Sequence, residues 1–525
     1  MNGPADTDVT DSANSAGNGT ANGTTSHATS GTASATPDGT ANGATNGTVS
    51  GTVSGAERGT VSTTAPHGVT GGSVSGAERG TASGGAAARP RRGWARALRA
   101  PRSARARVIL IAVVFAVLQL ANLTSRDTPD TKNYLSYALS LRGETKQEAA
   151  ARTIDYVCAG KASVARRNQA VDVVRFHRAS PTRRVLAECR RDEWRGVSAR
   201  LAAGRTAGHI VPFMPPRFMR IFEVRPGYPV LLVPFVTVLG VTWGLWAAGV
   251  AVTVAGGVLV FLVLRTLRTS TGAALTGQAL FYVLPCGTTA MRPMTEGLMM
   301  AVTLAALWGC ALVLEGRARA GIWLAGGSLA VLFTVKHSQA LFLGLCLTAA
   351  CAVLLARRRR WDGPLRILGA VAGCAVLATV LLAKALHYPS ESESVQDLLT
   401  AHYVRPDRAH PWPEFLHLEV AFWVEWLRRQ FWEPLFLAAV LAAGWGALRR
   451  CPAFAVFLLA AAGTGVLNQA AHPDISVWGD RLIVLLWLLP AVGLPLLLDS
   501  VVRPGARALG GMVPGPARRD AEVAR

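Results

Sequence analysis

A succession of apolar blocks, each roughly 17 to 22 residues long, limits what this chain can fold into more than any other feature. A helix of about 20 such residues spans the roughly 30 Å of hydrocarbon in a bilayer. In blocks such as Trp243–Leu264 and Met294–Leu314, no polar residues return at helical period. Helices apolar on every side need lipid as their solvent, because water would have to be kept from the whole surface. Half of the residues are hydrophobic, 16% are charged, and the mean hydropathy is +0.29. The chain therefore reads as an all-α integral membrane protein.

Ten blocks are expected to span: Val108–Thr124, Trp243–Leu264, Ala274–Ala290, Met294–Leu314, Gly321–Val335, Ala340–Ala356, Ile367–Leu386, Glu433–Leu448, Phe454–Gln469 and Leu482–Asp499. Gly227–Leu239 is short and carries Pro229 and Pro234, so it is expected to be interfacial or only partly inserted. The net charge of +22, from 54 Lys and Arg against 32 Asp and Glu, raises the question of nucleic acid. Its placement argues for membrane topology instead. Much of the excess lies in short runs beside the apolar blocks, at Arg89–Arg107, Arg265–Arg268, Arg317–Arg319, Arg357–Arg360 and Arg449–Arg450. With both termini in the cytoplasm, every short arginine-rich connector falls on the cytoplasmic side of a cell membrane, as the positive-inside rule requires.

Four regions follow. Residues 1–88 are mostly Gly, Thr, Ala, Ser and Asn and cannot bury enough apolar surface to offset chain entropy, so a disordered tail is expected. Residues 89–107 form a basic cytoplasmic segment. Residues 108–500 form the membrane domain, with residues 125–225 as a large extracytoplasmic loop, and residues 501–525 form a cytoplasmic tail. The loop holds twenty Lys and Arg against ten Asp and Glu, and is too long for its charge to fix its side. Cys158 and Cys189 both lie in this loop and are able to pair there. No His/Cys spacing indicates zinc.

Ionisable groups beside or within the spans are the candidates for function, because their desolvation must be offset by something. Asp127 and Asp130 follow the first block, and Asp130 is also placed to cap the helix that begins beyond it. In that helix Tyr134, Tyr137, Ala138 and Leu141 recur at helical spacing, which predicts an amphipathic helix lying on the bilayer. Arg225 precedes Pro226-Gly227-Tyr228-Pro229; Arg292 and Glu296 open a later span; Lys336 and His337 interrupt two apolar runs; Asp474, Asp480 and Arg481 precede the last span. All of these map to the outer face. Cations at Arg225, Arg292, Lys336, His337 and Arg481 suit a lipid-linked phosphate. A carboxylate there can take a proton from an acceptor hydroxyl attacking a sugar carbon.

The order of these residues resembles the polytopic GT-C glycosyltransferases, the superfamily of protein mannosyltransferases and aminoarabinose transferases. The resemblance covers residues 105–360. It is carried by Asp130, Tyr134 and Ala138 opening the loop, by Arg225-Pro226 with Tyr228-Pro229 closing it, and by Arg292-Pro293-Met294-Thr295-Glu296. It implies transfer of a sugar from a polyprenyl-phosphate donor to a cell-envelope acceptor at the extracytoplasmic face. It also implies Asp130, then Asp127, as base or metal ligand, and Glu296 as the acidic residue of a later span. The family's adjacent acidic pair is absent, since Thr128 and Pro129 separate the two aspartates, so the need for a divalent metal stays open. A transporter or lipid flippase, and a non-catalytic protein on the same fold, are the competing expectations. The Trp-rich segment His387–Trp432 is expected to cover the cavity and contact acceptor, or to form an interfacial aromatic belt.

Overall fold

Among the residues described by the computed structural model, 103–503 apart from 359–361 and 477–478, there is no strand. The expected disordered tail 1–88, most of the basic segment 89–107, two arginines of the run Arg357–Arg360 and all but the start of the C-terminal tail lie outside them. The first helix, α1 (Ala104–Gln119), is capped by the Ser103 hydroxyl, which accepts from the Ala106 N–H at 3.1 Å. It continues as a 3₁₀ turn to Asn122. Only Phe115 of α1 is buried, while Ile109, Leu110, Val113 and Val117 are exposed. Those side chains would face lipid.

The loop that follows is a helical layer of its own: α2 (Thr131–Leu141), α3 (Lys146–Ala170), α4 (Thr182–Ala202) and α5 (Pro216–Glu223). A reciprocal capping box between Thr145 and Glu148 starts α3. A disulfide between Cys158 and Cys189, with Cα atoms 5.6 Å apart, ties α3 to α4. Replacing both cysteines by serine is expected to weaken this hairpin by about 3–4 kcal/mol, the loop-closure value for such a separation. Amide exchange should then speed up in both helices, and unchanged exchange would show the crosslink to be dispensable. The sequence predicts α2 on the bilayer surface, and here the structure differs. Tyr134, Leu135, Tyr137, Ala138 and Leu139 are all buried. They pack with Ile154 and Val157 of α3, Phe222 of α5 and Leu232 of the next helix, so protein covers the apolar stripe.

The membrane layer comprises α6 (Gly227–Thr266), α7 (Thr271–Val283), α8 (Pro285–Ala290), α9 (Thr295–Leu314), α10 (Ala318–Val335), α11 (His337–Arg358) and α12 (Gly363–Ala385). The chain goes on through α13 (Glu391–Leu399), α14 (Pro411–Trp432), α15 (Leu435–Arg450), α16 (Pro452–Ala470), a 3₁₀ turn Leu482–Trp487 and α17 (Leu488–Val502). Among the described residues eight helical stretches are long and apolar enough to cross a membrane, or nine if one bent pair counts as a span. The protein is thus a multi-pass membrane protein, and the difference from ten has local causes. Ala274–Ala290 is broken at Pro285, which cannot donate into the helix, leaving two short pieces. The block Glu433–Leu448 is α15, sixteen residues long, and it meets α14 at an 89° bend.

Gly227–Leu239 and Trp243–Leu264 form one helical run interrupted at Gly240, whose φ of 72° is open to glycine at little cost. The chain doubles back there, so that a Cβ on Gly244 would lie 2.7 Å from the Val236 Cα. Elsewhere α9 and α10 cross in close contact, and a Cβ on Gly321 would lie 2.4 Å from the Gly309 carbonyl oxygen. One end of the bundle is tied by Asp499, which accepts from the Ser270 N–H at 3.0 Å and pairs with Arg450 at 3.4 Å, and by Arg268 with Glu315 at 2.8 Å. The first loop sits at the other end, where Thr131 of α2 donates to the Pro293 carbonyl ahead of α9 at 3.3 Å.

Candidate functional site

Three of the sequence candidates, separated by up to 351 positions, meet directly at that end. The Arg481 guanidinium is forked between two carboxylates. It donates to Glu296 Oε1 from Nε at 3.0 Å and from Nη2 at 2.8 Å, and Nη2 also donates to Asp130 Oδ2. Asp130, Glu296 and Arg481 are almost wholly buried, with side chains 10%, 2% and 10% exposed. Burial opposes the charge on Arg481, but Asp130 and Glu296 more than offset this and raise its pKa. Asp130 occupies the N-cap position of α2, yet its side chain makes no capping bond. It has been turned from the helix end toward Arg481.

Around this triad lie three cations that no carboxylate pairs with among the described residues, Lys336, Arg225 and Arg292, and one imidazole, His337. Lys336 sits at the break between α10 and α11, where its backbone is extended (φ −160°, ψ 96°). It is 8% exposed and close enough to feel Glu296, Arg225, Arg481 and Asp130, yet its ammonium has no hydrogen bond or ion pair among the described residues. Arg225 donates from Nη1 to the Tyr134 hydroxyl at 3.5 Å, while its buried Nε has no partner. His337 packs edge-on against Tyr388 at 5.2 Å, and its buried Nδ1 is likewise without a partner. Arg292 is exposed at the lip, within the field of Arg481 and Glu296. Buried donors without acceptors are costly, and the placement of Lys336 Nζ and Arg225 Nε at one mouth suits an anion.

Asp127 is placed differently. Its Oδ1 lies against α3, at 2.7 Å from where a Gly160 Cβ would be. Burial raises its pKa, with its own N–H, Lys161 and Lys132 pulling partly back. Among the described residues no bond joins it to the triad, and Gly160 leaves the room it needs. Asp474 accepts from the Ser476 N–H at 2.9 Å, and Asp480 is exposed.

Several groups at this mouth carry no sequence signal of their own. His472, after α16, is held neutral by burial first and then by Lys336, Arg225 and Arg481, which push its pKa well down. Below the mouth an amide network joins three spans, α9, α11 and α16. Gln339 donates to Thr464 Oγ1 at 3.0 Å and to Thr303 Oγ1 at 3.4 Å, and Asn468 donates to Gln339 Oε1 at 2.6 Å. It fixes α11 one turn below Lys336. Beside the mouth Asp397, 5% exposed, contacts His402 Nδ1 at 3.2 Å. His402 lies between Ala401 and Tyr403, and all three residues have positive φ, at 52°, 62° and 59°. The segment is fastened to α5, where Arg217 pairs with Asp407 at 2.7 Å and lies 4.3 Å from the Tyr403 ring centroid. Phe218 packs on His402 at 4.5 Å.

Burial lowers the His402 pKa, but the Asp397 bond and charge, with help from Asp130 and Asp474, raise it overall. A raised histidine stabilises the folded segment fully below its unfolded pKa of about 6.5, and that contribution is lost as pH rises through the folded value. Exchange of the 397–405 amides, corrected for intrinsic rates, should therefore be slower at pH 6 than at pH 8. His402→Gln should abolish the difference, and a pH dependence surviving in that variant would refute this origin.

Arg481, bonded to one oxygen of each carboxylate, occupies the position between Asp130 and Glu296 that a divalent metal would take. Among the described residues no group of three or more His, Cys, Asp and Glu side chains is arranged to bind one. The residues present do not fit a metal between Asp130 and Glu296. No protein family, curated protein or solved structure was found that matches this chain.

Proposed function

We propose that the chain is a membrane glycosyltransferase that moves a sugar from a polyprenyl-phosphate donor to a cell-envelope acceptor at the extracytoplasmic face. The observation that carries the proposal is the unneutralised Lys336 beside the Asp130–Arg481–Glu296 triad, with the partnerless Arg225 Nε at the same mouth. Such a site combines a seat for a phosphate anion with a carboxylate able to accept a proton. In the reaction the acceptor hydroxyl gives its proton to Asp130 as its oxygen bonds the anomeric carbon. The bond from that carbon to the phosphate oxygen breaks, and its electron pair stays on the phosphate, where Lys336 and Arg225 meet the developing charge. Arg481 orients Asp130, and Glu296 keeps Arg481 in place.

The proposal also takes up ten crossings, by counting the broken pair α7–α8 and the helix α15 as spans. Both termini then lie in the cytoplasm of the cell membrane, and the Asp499 end of the bundle is the cytoplasmic one. Helix α14, perpendicular to α15, lies along the outer interface with Trp412, Leu416, Val420, Val424, Leu427 and Phe431 exposed to lipid.

Donor recognition is tested with polyprenyl-phosphate sugars, the bare polyprenyl phosphate and the uncharged polyprenol, each offered to the purified protein in nanodiscs. The phosphorylated lipids should raise Tm and the polyprenol should not. Lys336→Met should weaken the phosphorylated lipids about ten- to a hundredfold, the worth of a charge-assisted hydrogen bond. Binding that ignores the phosphate would leave the transporter or flippase ahead.

A further inference from the structure

The α3–α4 hairpin ends in a tip, residues 171–181, that the transfer reaction does not use. Its apolar side chains point outward. Val171, Val173, Val174 and Phe176 are 81%, 87%, 63% and 63% exposed, in a chain segment that carries one acidic residue, Asp172. That aspartate is spent on shaping the turn. Its Oδ1 accepts the Val174 and Arg175 N–H groups, both at 2.9 Å, and its Oδ2 takes Arg175 Nε at 2.8 Å. The Gln169 amide closes the other side by donating to the Arg178 and Ala179 carbonyls at 2.8 and 3.1 Å. The apolar residues are therefore held out on a built turn rather than left loose.

Cations surround them. Arg166, Arg175, Arg178, Arg183 and Arg184 are all exposed. Arg166 and Arg178, with Gln169, Ser180 and Phe176, line a small cavity of about 130 Å³. The position of the tip is fixed by Arg167, one helical turn before α3 ends. Its Nη1 donates to Asn122 Oδ1 at 2.8 Å and its Nη2 to the Ser125 hydroxyl. Asn122 is the last residue of the apolar span Ala104–Asn122. Arg167 thus ties α3, one helical turn before the tip begins, to the residue at which the first apolar span ends.

We infer that this tip is a membrane wedge that seats in the headgroup layer of the protein's own bilayer and takes anionic phospholipid. Exposed valines and a phenylalanine at the end of a span enter the boundary between headgroups and acyl chains, a depth of about 5–10 Å. Arginines on the rim bind lipid phosphates, and the cavity between Arg166 and Arg178 offers one phosphate a two-sided seat. The Cys158–Cys189 crosslink and the Arg167 contacts make the wedge a fixed strut between the first span and the loop domain. It does not depend on the sugar-transfer proposal.

The test uses the full chain, one copy per nanodisc, with Cys346, Cys374 and Cys451 replaced by alanine and an environment-sensitive fluorophore attached at Val174→Cys. Discs of phosphatidylglycerol and of phosphatidylcholine are compared, each with and without lipid carrying a spin label near the headgroup. In anionic discs the emission should shift to the blue, be quenched severalfold by the spin label and resist aqueous iodide. Arg166→Glu with Arg178→Glu should cut that quenching to the level of the zwitterionic discs. Emission that stays water-like and open to iodide in both discs would overturn the wedge. Quenching equal in both discs and indifferent to the arginine changes would overturn the anionic-lipid preference. A blue shift that requires two copies per disc would replace the lipid by a second copy of the chain.

Discussion

Replacing Arg481 by alanine is expected to destabilise the protein by about 3–5 kcal/mol, the cost of leaving buried charge without its partner. The reason is local. Arg481 answers both Asp130 and Glu296, and neither carboxylate has another cation bonded to it among the described residues. Removing the guanidinium strands two acidic groups in a dry space, where one or both must take up a proton or the mouth must open to water. Arg481→Lys should recover only part of the loss, since one ammonium cannot reproduce the forked contact with both carboxylates. Arg481→Ala combined with Asp130→Asn and Glu296→Gln should recover more than the lysine does. Thermal unfolding in detergent measures all three, and an Arg481→Ala protein as stable as the parent would contradict the triad.

Asp130→Asn is expected to behave in the opposite manner, with the fold kept and the rate lost. The amide oxygen can still accept from Arg481, so the bond that holds α2 to the end of the bundle survives. The amide cannot take a proton from the acceptor, and removal of a general base typically costs about 10²–10⁴ in rate. Glu296→Gln should lose less, because Glu296 acts through Arg481. A variant Asp130→Asn that unfolds would mark the residue as structural only.

The fold was legible where physics acts on composition and the site where it acts on charge. Unbroken apolar blocks have no stable alternative to helices in lipid, so the spans could be read directly. Prolines and glycines hid the exceptions. Pro285 breaks a block that hydropathy shows as continuous, and Gly240 folds a run back on itself, because a hydropathy window does not register backbone direction. The burial of α2 was illegible because an apolar stripe looks the same whether lipid or protein covers it. Asp130, Glu296, Arg225, Lys336 and Arg481 stood out singly as charges beside apolar runs. That Arg481 closes a ring between residues of the first loop and of α9 is a tertiary fact with no local trace. His472 and His402 lie in ordinary loop sequence and Asp397 near the end of the short helix α13, and only their folded surroundings set them apart.

Sugar transfer itself is followed with a labelled sugar on polyprenyl phosphate, incubated with the protein in nanodiscs and a cell-envelope extract as acceptor, over a panel of sugars. At least one sugar should leave the lipid phosphate with the parent protein and stay on it with Asp130→Asn, the two proteins unfolding at the same temperature. Sugar that stays on the phosphate across the whole panel, with folded protein and bound donor, would contradict a glycosyltransferase.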